Sequence, residues 1–202
     1  MRSIPLSPSS WTLTEPDGSS LSFDSTGVTL EITSTAPIGT KVFIEATDEL
    51  HVGPDEPWIV EVEARVDFGP GGFDGNETAN AQTLGMNVPG TNSFFHWHAN
   101  QSHGSYFYGD WSEVSCAQTS VPLDDKWHTF RLEHDGTDRL LYYLDGRLIC
   151  DQWRVNETQA PTGPLVPRIY LQNLKETGQT MSLSVRTIRF AYGADAVEIS
   201  AR

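Results

Sequence analysis

Three observations predict an all-β chain folded as a two-sheet antiparallel β-sandwich of jelly-roll type. Short runs alternating apolar and polar residues recur along the chain. Gly, Pro, Asn and Asp punctuate them throughout, and no long stretch carries the apolar period of an amphipathic helix. Roughly ten strands at such spacing are the pattern of two packed sheets. With 202 residues, residues 1–202 are expected to form one sandwich domain.

Taken in order, VTLEIT (28–33) and TKVFIEA (40–46) read as the first strands, β-branched and aromatic residues alternating with polar ones. In WIVEVEARVDF (58–68), Trp58, Val60, Val62, Ala64 and Val66 face one way, and Glu61, Glu63, Arg65 and Asp67 the other. QTLGMNV (82–88) follows GPGGFDGNETANA (69–81), which is too rich in Gly and polar residues to pack. WHTFRLEH (127–134), RLLYYLD (139–145) and 147–151 come next, with Asp145-Gly146 marking a hairpin turn and Asp135-Gly136 a second turn. After the loop NETQAPTGP (156–164), PRIYLQNL (167–174) and MSLSVRTIRFAY (181–192) close the series. In the first of these, Ile169 and Leu171 alternate with Arg168, Tyr170 and Gln172.

The segment FFHWHANQSHGSYFYGDW (94–111) carries three of the six histidines of the chain. Read as strand (93–99), turn and strand (105–111), it sends Phe95, Trp97, Ala99 and Phe107 to one side, and His96, His98, Tyr106 and Tyr108 to the other. A strand needs only one apolar face. A second face of imidazoles and phenols is a candidate site. With the polar rows at 61–65 and 168–172, it suggests a sheet face built as a carbohydrate groove, where rings stack on aromatics and hydroxyls meet planar polar groups.

The net charge is −14, with 27 acidic against 13 basic residues. That argues against nucleic acid or an anionic membrane as the main partner, and against an anionic polymer unless cations are concentrated locally. A solvated acidic surface is its simplest meaning. No apolar run approaches a membrane span, and MRSIPLSPSSW at the N-terminus has no signal-peptide core. Cys116 and Cys150 allow a single disulfide, and sequons occur at Asn76, Asn100 and Asn156. An extracellular or secreted setting is therefore expected, with a cytoplasmic one left open.

The succession EPWIVEVEARVDF, QTLGMNV, FFHWHAN, KWHTFRLEHDGTDRLLYYLDGRLI, PRIYLQNL and MSLSVRTIRFAYG, over about residues 55–193, resembles the concanavalin A-like lectin/glucanase superfamily. Its laminarinase-type glycoside hydrolases and laminin-G-like modules are the nearest in style. The resemblance implies the sandwich fold and a poly- or oligosaccharide partner, but the superfamily hosts lectins, hydrolases, lyases and inert modules. The hydrolases carry Glu-x-Asp-x-x-Glu on a strand that here reads Phe94-Phe95-His96-Trp97-His98-Ala99-Asn100-Gln101. Retaining hydrolysis needs two carboxyl groups about 5–5.5 Å apart. Glu61 and Glu63, same-face neighbours about 7 Å apart by strand rise, are the one alternative pair.

Alginate-lyase-like members of the superfamily offer another precedent, with Gln-x-His on the equivalent strand. This chain matches it in residue type only, and the signatures Arg-x-Glu-Leu and Tyr-Phe-Lys-x-Gly are absent. That precedent implies β-elimination with His96 or His98 as base or neutraliser and Tyr106, Tyr108 or Tyr170 as proton carrier. Arg65 with Gln172 would clamp the substrate carboxylate. Glu61, Glu63 and Trp111 complete the expected lining, Trp111 as a stacking platform. A lectin-type module with the same groove and no turnover is the alternative. A third reading makes His96-x-His98, with His103, a metal chelate. No cofactor is required; the Asp124-Asp125 pair reads as a solvated turn, or else as part of a structural calcium site. His128 and His134 read as packing or hydrogen-bonding groups. A monomer is expected.

Overall fold

The structure is a computed structural model that describes residues 1–47, 52–53, 55–69, 79–88, 95–100, 105–110, 121–122, 124–137, 139–153, 163–174 and 179–200. Of these, 79, 80, 82, 95, 96, 98–100, 105–110, 121, 122, 152 and 153 are described by their backbone alone.

The strands are β1 (Arg2–Ser3), β2 (Trp11–Thr14), β3 (Ser19–Asp24), β4 (Gly27–Ile32), β5 (Lys41–Ala46), β6 (Trp58–Asp67), β7 (Ala79–Asn87) and β8 (Phe95–Asn100). After them come β9 (Ser105–Asp110), β10 (Val121–Pro122), β11 (His128–His134), β12 (Arg139–Leu144), β13 (Arg147–Trp153), β14 (Val166–Asn173) and β15 (Met181–Tyr192). One helix, α1 (Ala194–Ser200), follows, and no helix among the described residues is long and apolar enough to cross a membrane.

Two antiparallel sheets result. One runs β13-β12-β11-β6-β15-β4-β3, with β1 on β15; the other runs β10-β9-β8-β7-β14-β5-β2. Every strand expected from the alternation is present, so the all-β sandwich holds. The sheets are glued by the apolar rows of facing strands, among them Val60, Val62, Ala64 and Val66 from β6, and Val42 and Ile44 from β5. Trp97 fixes which way β8 faces. Its ring is fully buried, meets Phe130 and Tyr142 of the opposite sheet edge-on at 5.7 Å each, and its Nε1 donates to the Arg131 carbonyl at 3.2 Å. The β12–β13 hairpin turns on Asp145 (φ 51°) and Gly146 (φ 76°), the positive pair that a tight two-residue hairpin needs.

Four strands and the helix depart from the sequence expectation. β2 and β3 lie at sheet edges, β1 and β10 are two residues long, and none of these four had been expected. α1 lies over the outer face of the first sheet, where Ala196 and Ile199 pack against Ile59 and Ala191.

Candidate functional site

Because Val42, Ile44 and Ala46 enter the core, alternation sends Lys41, Phe43 and Glu45 of β5 to the outer face of the second sheet. On β14, Ile169 and Leu171 are core residues, so Arg168, Tyr170 and Gln172 share that outer face. The register pairs Arg168 with Glu45, Tyr170 with Phe43 and Gln172 with Lys41. Carried on through β7 and β8, it aligns Tyr170, Gln82 and His98 in one row, and Arg168, Gly85 and His96 in the next. Adjacent strands stand about 4.8 Å apart, so each three-strand row spans about 10 Å.

The described side chains form a cationic and aromatic cluster. Lys41 Nζ lies 3.9 Å from the Tyr170 ring centroid, and the Arg168 guanidinium lies 4.4 Å from that of Phe43 and 5.8 Å from that of Tyr170. Arg168 Nη1 is 4.0 Å from Glu45 Oε2, which also accepts a 2.9 Å hydrogen bond from Asn87 Nδ2. Burial, then repulsion from Arg168, lowers the Lys41 pKa to about 8. Burial pushes the Tyr170 phenol up to about 12 against the opposing pull of Arg168. The face thus holds a phenol that stays protonated and an amine poised to titrate near neutrality.

Of the residues expected at the site, Tyr170 and Gln172 are on this face, and positions 96 and 98 alternate to it from the buried Trp97. Tyr106 and Tyr108 are corrected. The register of β8 with β9 pairs them with Ala99 and Trp97, and pairs Phe107 with His98, so the two tyrosines hold the register rows of the core-facing residues. The run Tyr106-Phe107-Tyr108 is aromatic at each position and carries no alternation to set its phase.

Glu61, Glu63 and Arg65 are corrected as well. They lie on β6 in the first sheet and face outward on the far side of the core. There Glu61 pairs with Arg189 and Glu63 with Arg186, while Arg65 sits 5.5 Å from the Trp127 ring. They cannot clamp a substrate held against His98, and the Glu61–Glu63 pair is bound up with arginines. Trp111, His103 and Cys116 lie outside the described residues; Cys150 is disulfide-bonded. Lys41, Phe43, Glu45, Asn87 and Arg168 had not been assigned to the site. The alternation in TKVFIEA carried the signal for the first three.

Among the described residues no group of three His, Cys, Asp or Glu is placed to hold a metal. The Asp124 carboxylate is engaged by Lys126 and by His128 Nε2 at 2.9 Å, and His128 Nδ1 lies 2.7 Å from Asp145. His134 stacks on Trp58 with centroids 5.5 Å apart.

No family model and no curated protein matches the sequence. Solved structures do match. Alginate lyase AlgAT5 of polysaccharide lyase family 7 superposes with a TM-score of 0.66 at 8% identity, over 91% of this chain and 94% of that one. The carbohydrate recognition domain of Emp47p gives 0.63 at 14% identity, over 93% and 90%. Carbohydrate-binding module CBM66 from Bacillus subtilis gives 0.56 at 16% identity, over 90% and 94%. The chain therefore shares the two-sheet jelly-roll sandwich fold of these proteins.

Proposed function

We propose that the outer face of the β10-β9-β8-β7-β14-β5-β2 sheet handles a poly- or oligosaccharide and cleaves uronate-containing chains by β-elimination. The observation that carries this reading is the row Tyr170–Gln82–His98 with Lys41 over the phenol ring. It sets a proton donor, an amide, an imidazole and a cation along neighbouring strands. Similarity in fold to an alginate lyase and to two carbohydrate-binding proteins supports the same class of ligand.

Elimination needs a base for the C5 proton, charge for the carboxylate, and an acid for the leaving oxygen. His98 takes the proton, and the C5–H electron pair becomes the C4=C5 double bond. The C4–O bond breaks, and its oxygen receives the Tyr170 proton. Lys41 and Gln82 hold the carboxylate whose charge grows as the proton leaves. With its pKa pushed up to about 12 the phenol carries its proton throughout the neutral range, and it is a weaker acid than a solvated tyrosine.

The test is incubation with polyuronates while ultraviolet absorbance and reducing ends are followed. New absorbance is expected, falling at least about 100-fold in His98→Ala and in Tyr170→Phe. Reducing ends without absorbance would mean hydrolysis. Binding with neither would select the second reading, a lectin-type module. That reading is favoured by the low exposure of Tyr170 (8%), a phenol better enclosed than most acids that must reach a substrate.

A further inference from the structure

The opposite sheet holds a cleft of its own. On the outer face of β6, β11 and β12, a hollow of about 430 Å³ opens between α1 and the β12–β13 turn, lined by Glu61, Thr129, Arg131, Glu133, Tyr143 and Ser200 among others. α1 makes one wall: Ile199 packs beside Ile59, and Ser200 Oγ donates to Glu133 Oε2 at 3.1 Å. The floor follows from register, since Arg131 stands between Glu61 on β6 and Tyr143 on β12.

Its chemistry selects a ligand class. Arg131 is shared, contacting Glu133 directly and Glu61 at 3.9 Å, while Glu61 also holds Arg189. Carboxylates and guanidinia thus satisfy one another in charge, and an ionic ligand would have to break a pair to enter. A vicinal diol would not: one hydroxyl donates to a carboxylate while its neighbour accepts from the guanidinium. Arg131 Nε is buried and has no hydrogen-bond partner among the described residues, while the side chain as a whole keeps 23% of its surface exposed to the cleft. The half-buried Tyr143 ring, with the Arg131 guanidinium 5.5 Å from its centroid, offers the apolar surface that the C–H face of a pyranose covers. Thr129 and Ser200 add hydroxyls at the rim. The volume lies within the range of small-ligand sites, about 300–1,000 Å³.

We propose that this cleft is a second saccharide subsite, taking one or two rings of a neutral glycan on the face opposite the first. It stands independently of the proposed lyase chemistry. The experiment is a titration of ¹⁵N-labelled protein with three neutral probes: cellohexaose, laminarihexaose and mannohexaose. At least one probe should give saturable amide shifts in 129–133, 143–146 and 199–200. Tyr143→Ala should weaken that binding about tenfold or more while still unfolding in one cooperative transition, and Tyr143→Phe, which keeps the ring, should restore it. No saturable shift with any probe would overturn the proposal. So would shifts confined to 41–45 and 166–172, or equal affinity in Tyr143→Ala. Loss of elimination activity in Tyr170→Phe leaves these back-face shifts untouched, which separates failure of one site from failure of the other.

Discussion

At the scale of single residues, His128 is held between two carboxylates, Asp124 at 2.9 Å and Asp145 at 2.7 Å. Burial by itself would depress its pKa, but the bonds to Asp145 and Asp124 outweigh burial and raise it above the ordinary 6.5. Asp124 is in turn lowered to about 2, first by Lys126 and then by His128. A raised histidine stabilises the fold fully below the unfolded value, and that contribution is lost as pH rises through the folded one. The thermal midpoint of the wild type should therefore exceed that of His128→Asn at about pH 6, with the gap closing by about pH 9. A gap that stays constant or widens with pH would show that the imidazole acts by packing alone. The sequence showed His128 only as a packing or hydrogen-bonding group, because its two carboxylates come from a turn and a connector.

At the scale of elements, close backbone packing sets the limits. Gly27 opens β4 at φ +146°, and a Cβ there would lie 2.0 Å from the Val185 carbonyl oxygen of β15. Gly39, at φ +86°, has nothing within 4 Å of the same atom. Gly27→Ala should lose more than about 1 kcal/mol in urea denaturation, and clearly more than Gly39→Ala, which carries the backbone strain alone. Equal losses would mean that β4 and β15 shift apart freely. The long strands were legible because each buries one row and exposes the other. WTLT and SSLSFD were not, since as edge strands they bury little and much of their sequence is Ser and Thr. ADAVEIS was missed because seven residues are too few to establish a helical period.

At the scale of the whole molecule, the division into sheets decides the site, and that was the least legible feature. The polar row of β6 alternates just as that of β14 does, and nothing local says that one belongs to the sheet of His98 and the other to the sheet behind it. Long-range pairing makes that choice: β6 joins β11 and β15, while β14 joins β5 and β7. In place of the expected Arg65, the face proposed to bind substrate carries Lys41, assigned to the carboxylate with Gln82, and Arg168 close by, a local concentration of cations in a chain of net charge −14. Lys41 titrates at about 8, so its charge is largely present at neutral pH and gone well above that value. Affinity for a polyuronate should accordingly weaken between about pH 7 and about pH 9, and fall with added salt at the lower pH. Lys41→Met should bind less tightly at neutral pH and show a flattened pH dependence, as read by calorimetry on an inactive Tyr170→Phe background. A Lys41→Met profile that still falls as steeply as the parent would remove Lys41 from the carboxylate site and leave Arg168 to hold it.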